Sequence, residues 1–223
     1  MAKEIDLLCL ANSRREGGRC IAGIDLKSGR WIRPVKSDGS PFTISEVSYK
    51  NGTSPKVLDK IRIRILRTNV SYYHPEDCIV DQRFRWERIG CCRRNDISKY
   101  VDVAAPYLFK DSNDRILARD LENQPLSKSL MLVRLTSVTF RKMWGQNRFR
   151  PQIRALFKYQ GSEYNLVVTD DTWEGIFAKR DGPYWDMGDY NFNDTFYLTI
   201  GMGEKFGNYH YKLIVAVITD ENI

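Results

Sequence analysis

Five arginines, Arg14, Arg15, Arg19, Arg30 and Arg33, crowd one stretch near the start of the chain, with the indole of Trp31 and the amide of Asn12 beside them. A guanidinium is a planar fork of donors that matches a phosphate, and an indole offers a face to a base. The set suits phosphate or base recognition better than a hydrolase active site. Its surroundings dictate how it is held. Leu7 to Ala11 is a short apolar run cut off by Asn12-Ser13 and by Gly17-Gly18, so it reads as a buried strand entering a tight hairpin. Lys27-Ser28-Gly29 repeats the device before Trp31-Ile32-Arg33-Pro34. Three strands and two turns would gather the arginines. Two other roles compete with binding: Asn12 and Ser13 can tie down a turn through the backbone, and Arg19 can pair internally with Asp59 or Asp114.

A second grouping interleaves charge and aromatic surface at Arg141-Lys142-Met143-Trp144 and Arg148-Phe149-Arg150. It lies in a run from Asn123 to Ser162 that contains no acid. Through residue 160 there are 31 Lys or Arg against 17 Asp or Glu, and from residue 161 onward 4 against 11, balances of +14 and −7 within a net +7. Such a bias focuses a positive field and favours an anionic partner. Between the two groupings, Lys60 to Arg67 alternates Ile with Arg, a half-buried strand that turns Arg62 and Arg64 to its open face. That row fits a track for a polyanion backbone and fits equally a charged edge strand.

Other chemistry finds less support. His74, Cys78, Cys91 and Cys92 include no Cys-x-x-Cys pair, and adjacent cysteines do not easily share a tetrahedral centre, so no metal site is expected. Cys9 and Cys20 sit in apolar strand settings that raise a thiol pKa, and neither His74 nor His210 lies in a nucleophile motif. Asp170 and Asp171 are explained by helix capping, and the acids from Asp181 to Asp194 by a solvated loop. No Gly-rich phosphate loop is present. The expectation is a non-catalytic protein without cofactor. The odd cysteine count, the absence of a signal-type start and the lack of any run of membrane-span length point to the cytoplasm.

The remaining pattern is mainly β with a few short helices. A Ser/Gly/Pro-rich loop fills Lys36 to Lys56, and a short helix starts at Asn95 or Asp96. Asn113-Asp114-Arg115 reads as a turn entering a short strand, and Leu121 to Ser127 as a linker. The run from Ser129 to Met143 is too long for one flat strand and needs a bend near Thr136-Ser137. A hairpin around Gln160-Gly161-Ser162, a helix through Trp173 and Phe177, and strands Phe196–Gly201 and Tyr211–Ile218 complete the second half. Meander, crossover and closing strands occur twice, the plan of a Greek-key barrel in residues 1–120 and again in 121–223.

The elements Cys9-Leu10-Ala11-Asn12-Ser13-Arg14, Gly17-Gly18-Arg19-Cys20-Ile21-Ala22-Gly23 and Trp31-Ile32-Arg33-Pro34 resemble the opening of a bacterial family of dual OB-containing domain proteins. Asn113-Asp114-Arg115, Leu166-Val167-Val168-Thr169-Asp170, Leu198-Thr199-Ile200-Gly201 and Tyr211 to Ala216 resemble its later signatures. The resemblance implies two tandem OB-like barrels and nucleic-acid binding, and it carries no catalytic residues. The expected ligand is single-stranded or structured nucleic acid, DNA or RNA. Its contacts would be Asn12, Arg14, Arg19, Trp31 and Arg33, supported by Arg62 and Arg64, in the first module. In the second they would be Arg141, Lys142, Trp144, Arg148 and Arg150. The alternatives are an accessory module of a nucleic-acid modification or defence system that meets a protein partner through the acidic loop, and an enzyme acting on nucleotides or modified bases.

Overall fold

The computed structural model describes residues 2–15, 17–102, 105–144, 151–180 and 188–219. They form two compact units, Met1–Tyr100 with Pro125–Ser129, and Val101–Gln124 with Leu130–Ile223. This division differs from the boundary expected at residue 120. Residues 101–124 build onto the second unit before the chain returns to the first. The first three residues of the stretch expected as a linker end a helix, α2 (Ala118–Asn123), with Leu121 fully buried.

The first unit is a closed barrel. β1 (Lys3–Arg15), β2 (Gly18–Asp25), β3 (Trp31–Val35), β4 (Asp59–Thr68) and β5 (Asp77–Val80) follow the order β1-β2-β3-β5-β4, and β1 closes the circuit on β4. All pairings are antiparallel except β3 with β5, which gives the Greek-key crossover. β6 (Glu87–Cys91) adds an edge to β4. The length of β1 lets its first half pair with β4 and its second half with β2, and a bulge between Cys9 and Ala11 bends it. Ile5, Leu7, Cys9, Ile21, Ile61 and Ile63 fill the interior with Phe42 and Trp86. Leu8 and Leu10, on the opposite parity, are buried as well, so the centre of β1 is covered on both faces.

Gly17 takes the left-handed φ of +81° that the first hairpin requires. The loop after β3 contains a helix the composition had concealed, α1 (Ile44–Val47), started by a reciprocal capping box between Thr43 and Glu46. The expected helix near Asn95 is a 3-10 segment, Arg94–Tyr100, anchored by buried Ile97. Ser129 is the tail of this unit. Its N–H and hydroxyl donate to the two oxygens of buried Glu76 at 2.6 and 2.7 Å, and its Oγ lies 2.9 Å from His74 Nδ1. Burial raises the Glu76 carboxyl above the ordinary range despite these donors.

The second unit repeats the order with its first strand split. β8 (Leu130–Leu135) and β9 (Val138–Trp144) are separated at Thr136-Ser137, where the sequence called for a bend. β10 (Pro151–Tyr159) and β11 (Ser162–Val168) form the expected hairpin, with left-handed φ at Gln160 and Gly161. α3 (Asp171–Arg180) follows, then β12 (Gly188–Phe192), β13 (Phe196–Phe206) and β14 (Tyr209–Ile218). The sheet runs β12-β9-β10-β11-β14-β13-β8, with β11 and β14 parallel, and β7 (Arg115–Leu117) pairs with β14. Asp170 caps α3 by accepting from the N–H groups of Thr172 and Trp173, and its second oxygen accepts from Val217 N–H on β14. The helix thereby delivers Trp173 and Phe177 onto Phe140 in an aromatic core.

Candidate nucleic-acid interface

Strand register sorts the first-module candidates by face. Arg14 stands opposite Arg19 at the end of the β1–β2 ladder, and Asn12 opposite Ile21, so these three share the face of the core residue Ile21 at the mouth of the barrel. Asn12 Nδ2 donates to Pro55 O at 2.7 Å, which fixes the amide against the loop before β4. Trp31 pairs with Ile24 across β2–β3, on the opposite face, where Arg33 also lies. The five residues expected to form one cluster therefore belong to two surfaces.

On that second surface Arg33 is 7% exposed and forms a two-pronged ion pair with Asp77, at 2.5 Å from Nε and 2.9 Å from Nη2. Asp77 lies directly opposite it on β5, and Cys20 Sγ is 3.9 Å from Nη1. The guanidinium expected to hold a phosphate holds a buried carboxylate instead. Trp31 remains half-buried and makes no aromatic contact among the described residues.

The arginine row of β4 is likewise matched to β1. Arg62 lies opposite Asp6 and forks onto it at 2.8 and 3.1 Å, and Arg64 lies opposite Glu4, bonding it at 2.7 Å and covering the ring of Phe84. Such a half-exposed pair is screened by solvent and adds little to stability. Its consequence is electrostatic: the row is a ladder of neutralised pairs and not an open cationic track.

In the second unit Arg141 and Lys142 point to opposite faces of β9. Arg141 forks onto Asp189 of β12, both distances 2.6 Å, and Lys142 is buried on the side of Phe140. The Trp144 side chain, Arg148 and Arg150 lie outside the described residues, as does the first half of the acidic loop, residues 181–187. The acid-free run is folded against acids from elsewhere. Arg154 approaches Asp114 at 3.7 Å and Lys158 approaches Glu163 at 3.2 Å.

The structure adds a surface that the residue pattern concealed. β13 and β14 extend beyond their expected limits and meet at Gly207-Asn208, and the three-residue β7 joins β14 alongside. Register puts Phe206, Tyr209 and Leu117 in one row and Tyr211 with Arg115 in the next. All five share the face opposite His210, Ile116 and Lys212, which are buried. Phe206 is 77% exposed. The Arg115 guanidinium lies 4.8 Å from the centre of the Tyr209 ring and 5.7 Å from that of Tyr211, and donates to the Tyr211 hydroxyl at 3.3 Å. The result is a solvent-facing aromatic platform that carries a cation. The only sequence signal was the alternation Tyr209-His210-Tyr211, since the partner Arg115 lies far away in the chain.

A family model described as the dual OB-containing domain matches residues 5–217, nearly the whole chain and both barrels. The chain belongs to that family. No curated protein matches it. For a dual OB protein the location of the two surfaces is informative. The arginine pair ends the connection between the first and second barrel strands of one unit, and the platform ends the connection between the fourth and fifth of the other. OB folds take ligands at these two loops. Among the described residues no helix is long and apolar enough to cross a membrane.

In this dual OB chain Ser129, the hydroxyl that lies 2.9 Å from His74 Nδ1, is fully buried. Among the described residues no three metal-ligating side chains converge. Burial, with Asp59 nearby, pushes the Cys9 thiol up to about 12, and burial followed by Asp77 pushes Cys78 up to about 11. Iodoacetamide at neutral pH is therefore expected to alkylate exposed Cys91 while Cys9 and Cys78 stay unmodified in the folded protein. Peptide mass spectrometry reads the order, and equal rates at Cys9 and Cys91 would contradict it.

Proposed function

We propose that this protein binds single-stranded or structured nucleic acid, with phosphates held by Arg14 and Arg19 at the β1–β2 hairpin and bases stacked on Phe206 and Tyr209. The observation that carries the reading is the platform. An exposed phenylalanine forfeits burial worth about 1.5–3 kcal/mol, and a ligand's apolar plane would recover it. Sequence-tolerant binding of single strands combines such planes with arginine, each stacked base contributing about 1–3 kcal/mol. Asn12 extends the hairpin surface, and Trp31 offers a second plane on the opposite face of that sheet.

Fluorescence anisotropy of labelled single-stranded and duplex DNA and RNA, across a salt series, tests the proposal. The expected result is tighter binding of single strands and a linear fall of log affinity with log salt. Phe206→Ala with Tyr209→Ala is expected to weaken binding about tenfold or more at every salt concentration. Arg14→Ala with Arg19→Ala is expected to lower the salt slope by about 2. No binding at low salt, or unchanged binding in both folded double variants, would overturn it.

A further inference from the structure

The cation row of β4 has a third member. Lys60, Arg62 and Arg64 share the outward face of that strand, and register sets what stands beside each. Arg64 meets Glu4 on β1, and Arg62 meets Asp6 on β1 and Glu87 on β6. Lys60 meets Leu8 on β1 and Gly90 on β6, so neither neighbour offers it an acid. A Cβ on Gly90 would touch only the Lys60 stem, at 3.9 Å. The stem lies over Gly90, next to the segment that follows β6.

That segment brings further cations. Cys92 N–H donates to Leu58 O at 2.8 Å, which seats Arg93 and the 3-10 segment Arg94–Tyr100 beside the start of β4. Lys56 precedes the same start, and Lys56, Arg93 and Lys99 are all exposed. The Lys99 ammonium lies 5.0 Å from the centre of the Tyr100 ring, a contact that holds the charge without neutralising it. Lys60 and Lys99 both act on the Cys92 thiol, against a rise caused by burial and by Asp96, so the two charges converge there. None of Lys56, Lys60, Arg93 and Lys99 makes an ion pair among the described residues, and neither does Asp96 beside them.

Four cations held together without countercharge repel one another, and a polyanion removes that repulsion. The patch also adjoins the hairpin, because Pro55, next to Lys56, is the residue whose carbonyl accepts from the Asn12 amide. We propose that Lys56, Lys60, Arg93 and Lys99 bind phosphates of the single strand, extending its path from the β1–β2 hairpin along the start of β4. The inference rests on the nucleic-acid reading above.

Salt titrations of the intact protein with labelled oligo(dT) test it. Lys60→Ala with Lys99→Ala is expected to lower the log–log salt slope by about 1–2, one phosphate contact for each cation. Lys60→Arg with Lys99→Arg keeps the charges and is expected to keep the slope. Lys3→Ala with Arg67→Ala is the comparison. Those two residues are exposed, make no ion pair among the described residues and lie around the far end of the β1–β4 ladder. Their replacement removes the same charge and is expected to leave the slope near the wild-type value. A slope unchanged by Lys60→Ala with Lys99→Ala, lowered equally by the comparison variant or lowered by the arginine variant overturns the patch and leaves nucleic-acid binding standing. Absence of wild-type binding at low salt overturns both. Circular dichroism and a thermal melt confirm that each variant is folded before its slope is read.

Discussion

Replacing Arg33 with alanine is expected to cost about 3–5 kcal/mol of stability, a large part of what holds a domain of this size together. The guanidinium is buried and bonds both oxygens of an equally buried carboxylate, Asp77, directly across the parallel β3–β5 pair. Truncation removes the countercharge and leaves a carboxylate where water cannot solvate it. The matched change Arg33→Met with Asp77→Leu replaces the pair by apolar volume and is expected to recover most of the loss. Urea denaturation midpoints of the two single variants and the double variant measure the coupling. A loss below about 1 kcal/mol for Arg33→Ala would place the pair with solvated surface bridges and contradict the burial argument. The same variant separates structure from ligand contact. Below its unfolding midpoint the salt slope of nucleic-acid binding is expected to stay unchanged, whereas a lost phosphate contact would lower it by about 1.

Gly23→Ala is expected to be at least as damaging, by about 3 kcal/mol or more. Gly23 sits opposite Cys9, next to the bulge, where β1 bends from its pairing with β4 to its pairing with β2. A Cβ there would fall 1.9 Å from Leu8 O and 2.7 Å from Leu8 C, and both are backbone atoms that cannot swing aside. The strand would have to withdraw from its partner, opening the middle of the β1–β2 ladder whose far end carries Arg14 and Arg19. Gly161→Ala is a useful comparison. That glycine needs a left-handed φ of +80° but has open space around it, so the substitution is expected to cost only about 1 kcal/mol. Denaturation midpoints that fell equally for the two variants would show that β1 yields at Leu8, against the close approach in the structure.

Several features of the fold were readable because their causes are local. The break at Thr136-Ser137 follows from an apolar run too long for one flat strand. The β10–β11 hairpin follows from Gln160-Gly161, and the start of α3 from an aspartate able to accept backbone N–H groups. The capping box Thr43-x-x-Glu46 was equally local, and a composition reading of residues 36–56 passed over it. The charge partition shows the limit of such reading. Acids that follow residue 160 return to bases that precede it, Asp189 to Arg141 and Glu163 to Lys158, so a segregation along the chain becomes pairing across strands.

The sequence alone determined the two-barrel plan, the turns and the concentration of arginine in the first hairpin, because periodicity and turn chemistry act over a few residues. Tertiary structure alone decided which of those arginines remain near the mouth of the barrel and that Arg33 is buried in an ion pair on the other face of the sheet. Side chains alternate faces with every residue, and the three strands that carry Arg14, Arg19 and Arg33 set their parity by register, with one bulge between Cys9 and Ala11 sufficient to reverse it for Arg14. The aromatic platform depended on tertiary structure for a different reason. Arg115 reaches Tyr209 and Tyr211 only because a three-residue strand pairs with β14 from more than ninety residues away, and no local rule specifies a partner at that distance.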